Sequence, residues 1–255
     1  MDSAKTHWAI LPAAGIGSRM QADRPKQYLP MTVKGITKTV IEYTLDGLLA
    51  YSGIDKIAVI VSPEDSYWQE ISSTRGYDQH DRILVVVGGS ERCYSVLNGL
   101  LAVQDAEKLS ASSSEVWVAV HDVARPCITH SDLDILFSAV EGYSDGGLLA
   151  TPVRDTMKRG TITNDSAVSH IDHSHIDHTV DRDQLWHALT PQMFPLNSLL
   201  NNLQSALNEG FEVTDEASAM EFAGAKPKLV NGRSDNLKIT RPEDLKLAEF
   251  YLNSF

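Results

Sequence analysis

The stretch WAILPAAGIGSRM, residues 8–20, followed by RPKQYLP at 24–30, decides how the chain is read. Trp8 to Leu11 is an apolar run too short for a helix, as in a strand buried on both faces. Directly after it come Pro12, Ala13, Ala14, Gly15 and Gly17, small residues that let backbone N–H groups approach phosphate oxygens closely. Arg19 and Lys26 put full positive charges beside that turn. A dinucleotide fingerprint, G-x-G-x-x-G, is a poor fit. Its third glycine position holds Met20, and the next apolar run, Ile57 to Val61, leads into Ser62 and Pro63 instead of an acid. A P-loop is excluded because no G-K-S/T follows. The better reading is a nucleotidyltransferase loop, which wraps a triphosphate whose α-phosphorus is attacked in line by a second phosphate. Charge then builds on the equatorial oxygens and the leaving pyrophosphate, so fixed cations matter more than a proton shuttle.

Further along, Ile57 to Val61, Ile83 to Val87 and Val116 to Val120 repeat the short, β-branched pattern. Between them, Ile41, Leu45, Leu48 and Leu49, then Val96, Leu97, Leu100 and Leu101, fall at helical spacing. Alternating strands and helices predict an α/β fold with a doubly wound, mainly parallel, Rossmann-like sheet whose ligands gather at the carboxyl ends of the strands. Leu148 to Val153 reads as another strand. Residues 154–185 are polar and broken, so they are expected to leave the core as a protruding arm on a single domain spanning 1–255. Helical patterns return near Leu196 to Leu207 and Asp215 to Ala223, with a strand near Lys228 to Val230. Thr240, Pro242 and Glu243 form a T-x-x-E capping box that should open a last helix.

Asp122 in HDVARP should stand at a strand's carboxyl end facing the glycine loop, where a carboxylate suits Mg²⁺. An N-cap or an ion pair with Arg125 is the plainer alternative. Gly88 and Gly89 end a strand and permit close backbone approach. These motifs resemble the 2-C-methyl-D-erythritol 4-phosphate cytidylyltransferases of non-mevalonate isoprenoid biosynthesis. The resemblance runs from LPAAGxGxRM and PKQY through VVVGGSERCYSVLNGL at 85–100, VAVHDVARPC at 118–127, PVRDTMKR at 152–159, HTVDRDQLWHALTPQ at 178–192, TDEASAME and DNLKITRPEDL. It implies a CTP site at the glycine loop with Gly88, Gly89, Ser90, Ser95, Asp122 and Val123, Mg²⁺ on Asp122, and Lys238 as a phosphate contact beside Arg19 and Lys26. It also implies a polyol-phosphate site from Arg125, Thr156, Arg182, Thr190 and Thr214, and a homodimer whose arm completes the partner's pocket. Ser90 stands where family members often carry an acid. SHIDHSHIDH, residues 169–178, looks like an insertion; His170, His173, His175 and His178 there could take Zn²⁺, but an exposed loop is the simpler reading. The rivals are a ribitol 5-phosphate cytidylyltransferase, an NAD-dependent oxidoreductase and a noncatalytic metal-binding module.

Composition narrows the field. At 255 residues with net charge -12, the chain has no broad basic face for nucleic acid or a membrane surface, so an anionic ligand needs a local cationic cluster. Two cysteines are too few for a disulfide framework, and no long apolar run or leader is visible; a soluble cytoplasmic protein is expected.

Overall fold

The structure, a computed structural model, describes residues 5–15, 23–109, 115–162 and 174–255. Strand β1 (Lys5–Pro12) lies between β4 (Lys56–Val61) and β6 (Glu115–Val120) and runs parallel to both. Alternation explains why Trp8 to Leu11 are apolar without a break. Trp8 and Ile10 face one layer of helices while Ala9 and Leu11 face the other. The first layer is α3 (Arg92–Leu109), α5 (Leu196–Asn208) and α6 (Glu216–Phe222); the second is α1 (Val40–Leu49), α2 (Ser66–Arg75) and α4 (His130–Val140).

With β5 (Ile83–Val87), β7 (Gly147–Pro152), β10 (Trp186–Pro195) and β11 (Lys228–Asn231), the sheet has seven strands in the order β11-β7-β10-β6-β1-β4-β5. Only β10 runs against the rest. The periodicity of the sequence did not show β10, because Pro191 and Pro195 argue against a central strand. The register shift between Ala188 and Gln192 resolves the conflict: Pro191 falls inside that irregularity, and Pro195 is the last paired residue. Successive strands leave β1 in opposite directions, to β4 on one side and β6 on the other. That is the switch point of a doubly wound sheet, and it opens a crevice at the carboxyl ends of β1 and β6.

Three further features frame the crevice. A hairpin, β2 (Pro30–Val33) and β3 (Ile36–Thr39), turns at Lys34 and Gly35, whose φ values of 50° and 77° are those of a two-residue turn with both centres left-handed. It packs with α7 (Pro242–Ser254) around Met31, Val40, Ile239 and Ala248. The expected cap of α7 needs correction: Arg241 is the N-cap, and Asp244, not Glu243, accepts from the amides of Thr240 and Arg241 at 2.8 Å each. The expected arm is an antiparallel ribbon, β8 (Met157–Ile162) with β9 (Ser174–Val180), which among the described residues pairs only with itself. His175 and His178 sit on β9, and no group of three ligating side chains gathers among the described residues. His170 and His173 lie outside the described residues.

Candidate active site

The crevice holds a cavity of about 410 Å³. Pro12, Ala14 and Gly15 line it from the end of β1, Gly89 and Ser90 from the β5–α3 turn, Ser95 from the first turn of α3, and Asp122 and Val123 from beyond β6. Lys26 and Lys238 close it. The loop's carbonyls are held from behind. Gln27, 2% exposed, donates Nε2 to the oxygens of Ala13 and Gly15 at 2.6 and 3.0 Å, and Ser62 donates Oγ to that of Ala14 at 2.8 Å. Oxygens that would repel a phosphate are thereby engaged by the protein. Ala13 is a frame residue: its amide already donates to Ile60 O at 2.7 Å and its side chain is buried, so it offers no N–H to a ligand. Gly17 and Arg19 lie outside the described residues.

Gly88 does not line the cavity; it lets the turn pass close by. A Cβ there would stand 2.6 Å from Ala14 Cβ and 2.9 Å from Ser95 Oγ, distances no side chain tolerates. Ser95 is a helix residue as well as a wall of the cavity. Its hydroxyl accepts from the Gly89 amide at 3.1 Å and donates to Glu91 O at 3.0 Å.

Asp122 is the centre of the charge pattern. Lys238 Nζ stands 2.9 Å and Arg125 Nε 3.4 Å from its Oδ2, while Arg92 Nε is 3.3 Å from Oδ1. Burial alone would raise the carboxyl's pKa, but Arg92, Lys238 and Arg125 outweigh it and hold the group far below the usual carboxylate range. Arg92 also makes a two-pronged pair with Glu216, at 2.7 and 3.2 Å. Burial opposes its charge, and Glu216 with Asp122 more than restores it. Neither Arg92 nor Glu216 was picked out from sequence. A signal existed: a cation in the first turn of α3 sits against the helix dipole, which needs a carboxylate from elsewhere.

A second cavity of about 220 Å³ adjoins the first and shares Arg92, Asp122 and Lys238 with it. Arg125, Thr190 and Thr214 line it, together with Gln192 and Asp215. Arg125 Nη1 donates to Asn236 O at 2.7 Å. Asp215, and not Thr214, caps α6. Thr156 and Arg182 line neither cavity; both are exposed near the base of the ribbon, where Arg182 Nη1 donates to Arg154 O. His121 is fully buried, and burial brings its pKa down to about 4, so the ring is neutral at pH 7.

A switch-point crevice with a glycine loop, ringed by cations and opening into a second anion-ready cavity, defines a nucleotidyltransferase. The chain matches the sequence profile of 2-C-methyl-D-erythritol 4-phosphate cytidylyltransferase over residues 7–254, and it belongs to that family. It is 49% identical over 252 residues to the 2-C-methyl-D-erythritol 4-phosphate cytidylyltransferase of Vibrio parahaemolyticus, covering 99% of this chain and 97% of that one. The Tolumonas auensis relative of the same name is 50% identical over 248 residues, with 97% of each chain covered. Among solved structures, the Francisella tularensis 2-C-methyl-D-erythritol 4-phosphate cytidylyltransferase superposes with a TM-score of 0.76 at 32% identity, covering 96% of this chain and 99% of that one.

Proposed function

We propose that the chain transfers CMP from CTP to the phosphate of 2-C-methyl-D-erythritol 4-phosphate, giving 4-diphosphocytidyl-2-C-methyl-D-erythritol and pyrophosphate, a step of non-mevalonate isoprenoid biosynthesis. The observation that carries this reading is the seam of Arg92, Asp122 and Lys238, shared by both cavities. A triphosphate in the larger cavity and a phosphate in the smaller one would meet there, with the attacking oxygen facing the α-phosphorus. The acceptor, with a second pKa of about 6, is already mostly dianionic at neutral pH and needs no general base. Lys26 and Lys238, with Arg19, stabilise the charge on the five-coordinate phosphorus and the departing pyrophosphate. Arg125 holds the acceptor phosphate. Thr214 and the wall at Thr190 shape the polyol end.

Asp122 is an ionised oxygen donor in the cavity wall, which fits Mg²⁺, a hard cation that takes one or two protein carboxylates and fills its sphere with phosphate oxygens and water. When bound, Mg²⁺ would neutralise charge on the triphosphate. Asp122 would hold it, with Lys238 turning from the carboxylate to a phosphate.

We assign Thr156 and Arg182 to the acceptor pocket of a second copy of the chain. Their position flanking the base of the ribbon, outside both of these cavities, supports a homodimer with a shared acceptor pocket. Two unpaired thiols, Cys127 pushed up to about 12 by burial, suit a reducing cytoplasm. Among the described residues, no helix is long and apolar enough to cross a membrane. Incubation of the purified protein with CTP, Mg²⁺ and either 2-C-methyl-D-erythritol 4-phosphate or ribitol 5-phosphate tests the reading. Pyrophosphate and a CDP-linked product are expected with the first acceptor. Turnover only with the second would overturn it.

A further inference from the structure

The residue before Asp122 has no place in the chemistry above, yet both nitrogens of its ring are engaged. His121 Nε2 lies 3.1 Å from the carbonyl oxygen of Arg125, and Nδ1 lies 3.0 Å from Thr190 Oγ1. A carbonyl can only accept, so in the neutral ring the hydrogen sits on Nε2 and Nδ1 is the acceptor. Thr190 must then donate its hydroxyl hydrogen to Nδ1. The same oxygen accepts the Asp122 amide at 3.0 Å. Every hydrogen in the row is directed, and the row ends on the backbone of Asp122 at the seam, through its amide, and of Arg125 in the wall of the smaller cavity, through its carbonyl. Asn236 closes the ring: its Nδ2 donates to Thr190 O at 2.9 Å, and its own carbonyl receives Arg125 Nη1 at 2.7 Å. Lys238 follows two residues later.

The geometry points to His121 as a positioning residue for the transfer: it orders the Thr190 hydroxyl so that Asp122 is held at the junction of the two cavities and Arg125 in the wall of the smaller one. Thr190 accordingly serves in the frame, its only hydroxyl hydrogen committed to His121, and does not donate to the acceptor substrate. This assignment rests on the cytidylyltransferase reading and deepens it. A histidine that merely fills space would need no particular nitrogen.

That difference sets the experiment. In H121N the side-chain oxygen stands one bond beyond Cγ, as Nδ1 does, and can still accept from Thr190. H121Q reaches only toward the Arg125 carbonyl, and H121F offers neither atom. With pyrophosphate release as the readout, H121N is expected within about fivefold of wild-type kcat, whereas H121Q and H121F fall about 30-fold or more with KM for CTP changed less than about threefold. T190V should cancel the rescue in H121N and add nothing to H121F, since coupled residues are not additive. T190V in the otherwise wild-type chain should reproduce the kcat loss, which covers an H121F that does not fold. An H121N as poor as H121F at matched thermal stability, or a T190V loss that adds to H121F in full, overturns the assignment while leaving an active wild type. A wild-type chain that releases no pyrophosphate overturns the function beneath it as well.

Discussion

Lys26 and Asp122 occupy the same cavity wall but stand in different electrostatic situations, and that separates the consequences of removing them. Lys26 donates Nζ to the backbone oxygen of Ile239 at 2.8 Å. Lys26→Ala should lower turnover by two orders of magnitude or more, roughly 3 kcal/mol of transition-state stabilisation, while the urea midpoint moves little. Near-normal initial rates would refute the charge assignment. Asp122 is the anion between three cations. Asp122→Asn keeps the shape and leaves those cations facing each other, so it should cost turnover and also about 2–4 kcal/mol of folding stability in urea. An unchanged unfolding curve would count against the ion cluster. At this scale the short motifs around the glycine loop and HDVARP pointed to Lys26 and Asp122, and the family resemblance to Arg125 and Lys238; all four line the two cavities. The sequence did not show Glu216, which reaches Arg92 across 124 positions of chain, nor the buried work of Gln27 and His121.

Among the elements, α7 gives the sharpest test of a local reading. A threonine three residues before a glutamate marks a cap in the sequence, yet Asp244 Oδ2 receives both the Thr240 hydroxyl and the Arg241 amide at 2.8 Å. Asp244→Ala is expected to cost about 1 kcal/mol in urea unfolding, and Glu243→Ala less than about 0.5 kcal/mol. Equal effects would return the cap to Glu243. The reason for the slip is small in chain terms and definite in geometry: the first turn starts one residue later than the motif suggests, and the carboxylate that faces the free amides changes with it. Strand β10 shows the same limit on a larger scale. Its prolines hide it from any test of periodicity, and only the neighbours β6 and β7 make it a strand.

For the whole molecule, the ribbon is the separable part. Since among the described residues β8 and β9 pair only with each other, replacing residues 157–180 by a short turn should leave the thermal midpoint within a few degrees. The proposed homodimer requires that sedimentation then show a monomer, with turnover falling because Thr156 and Arg182 would no longer meet a partner's pocket. A shortened chain that stays dimeric and active would remove the ribbon from the acceptor site. The sequence by itself determined the alternation of buried strands and amphipathic helices, the glycine loop after β1 and the acid beyond β6. Each depends on short-range physics: side-chain period, the steric freedom of small residues, and the end of a strand. The tertiary structure alone decided that β10 enters the sheet against its neighbours, and that Arg92 meets Glu216 and His121 meets Thr190. Those partners are distant in the chain, and the order and register of seven strands had to exist before any of them could touch.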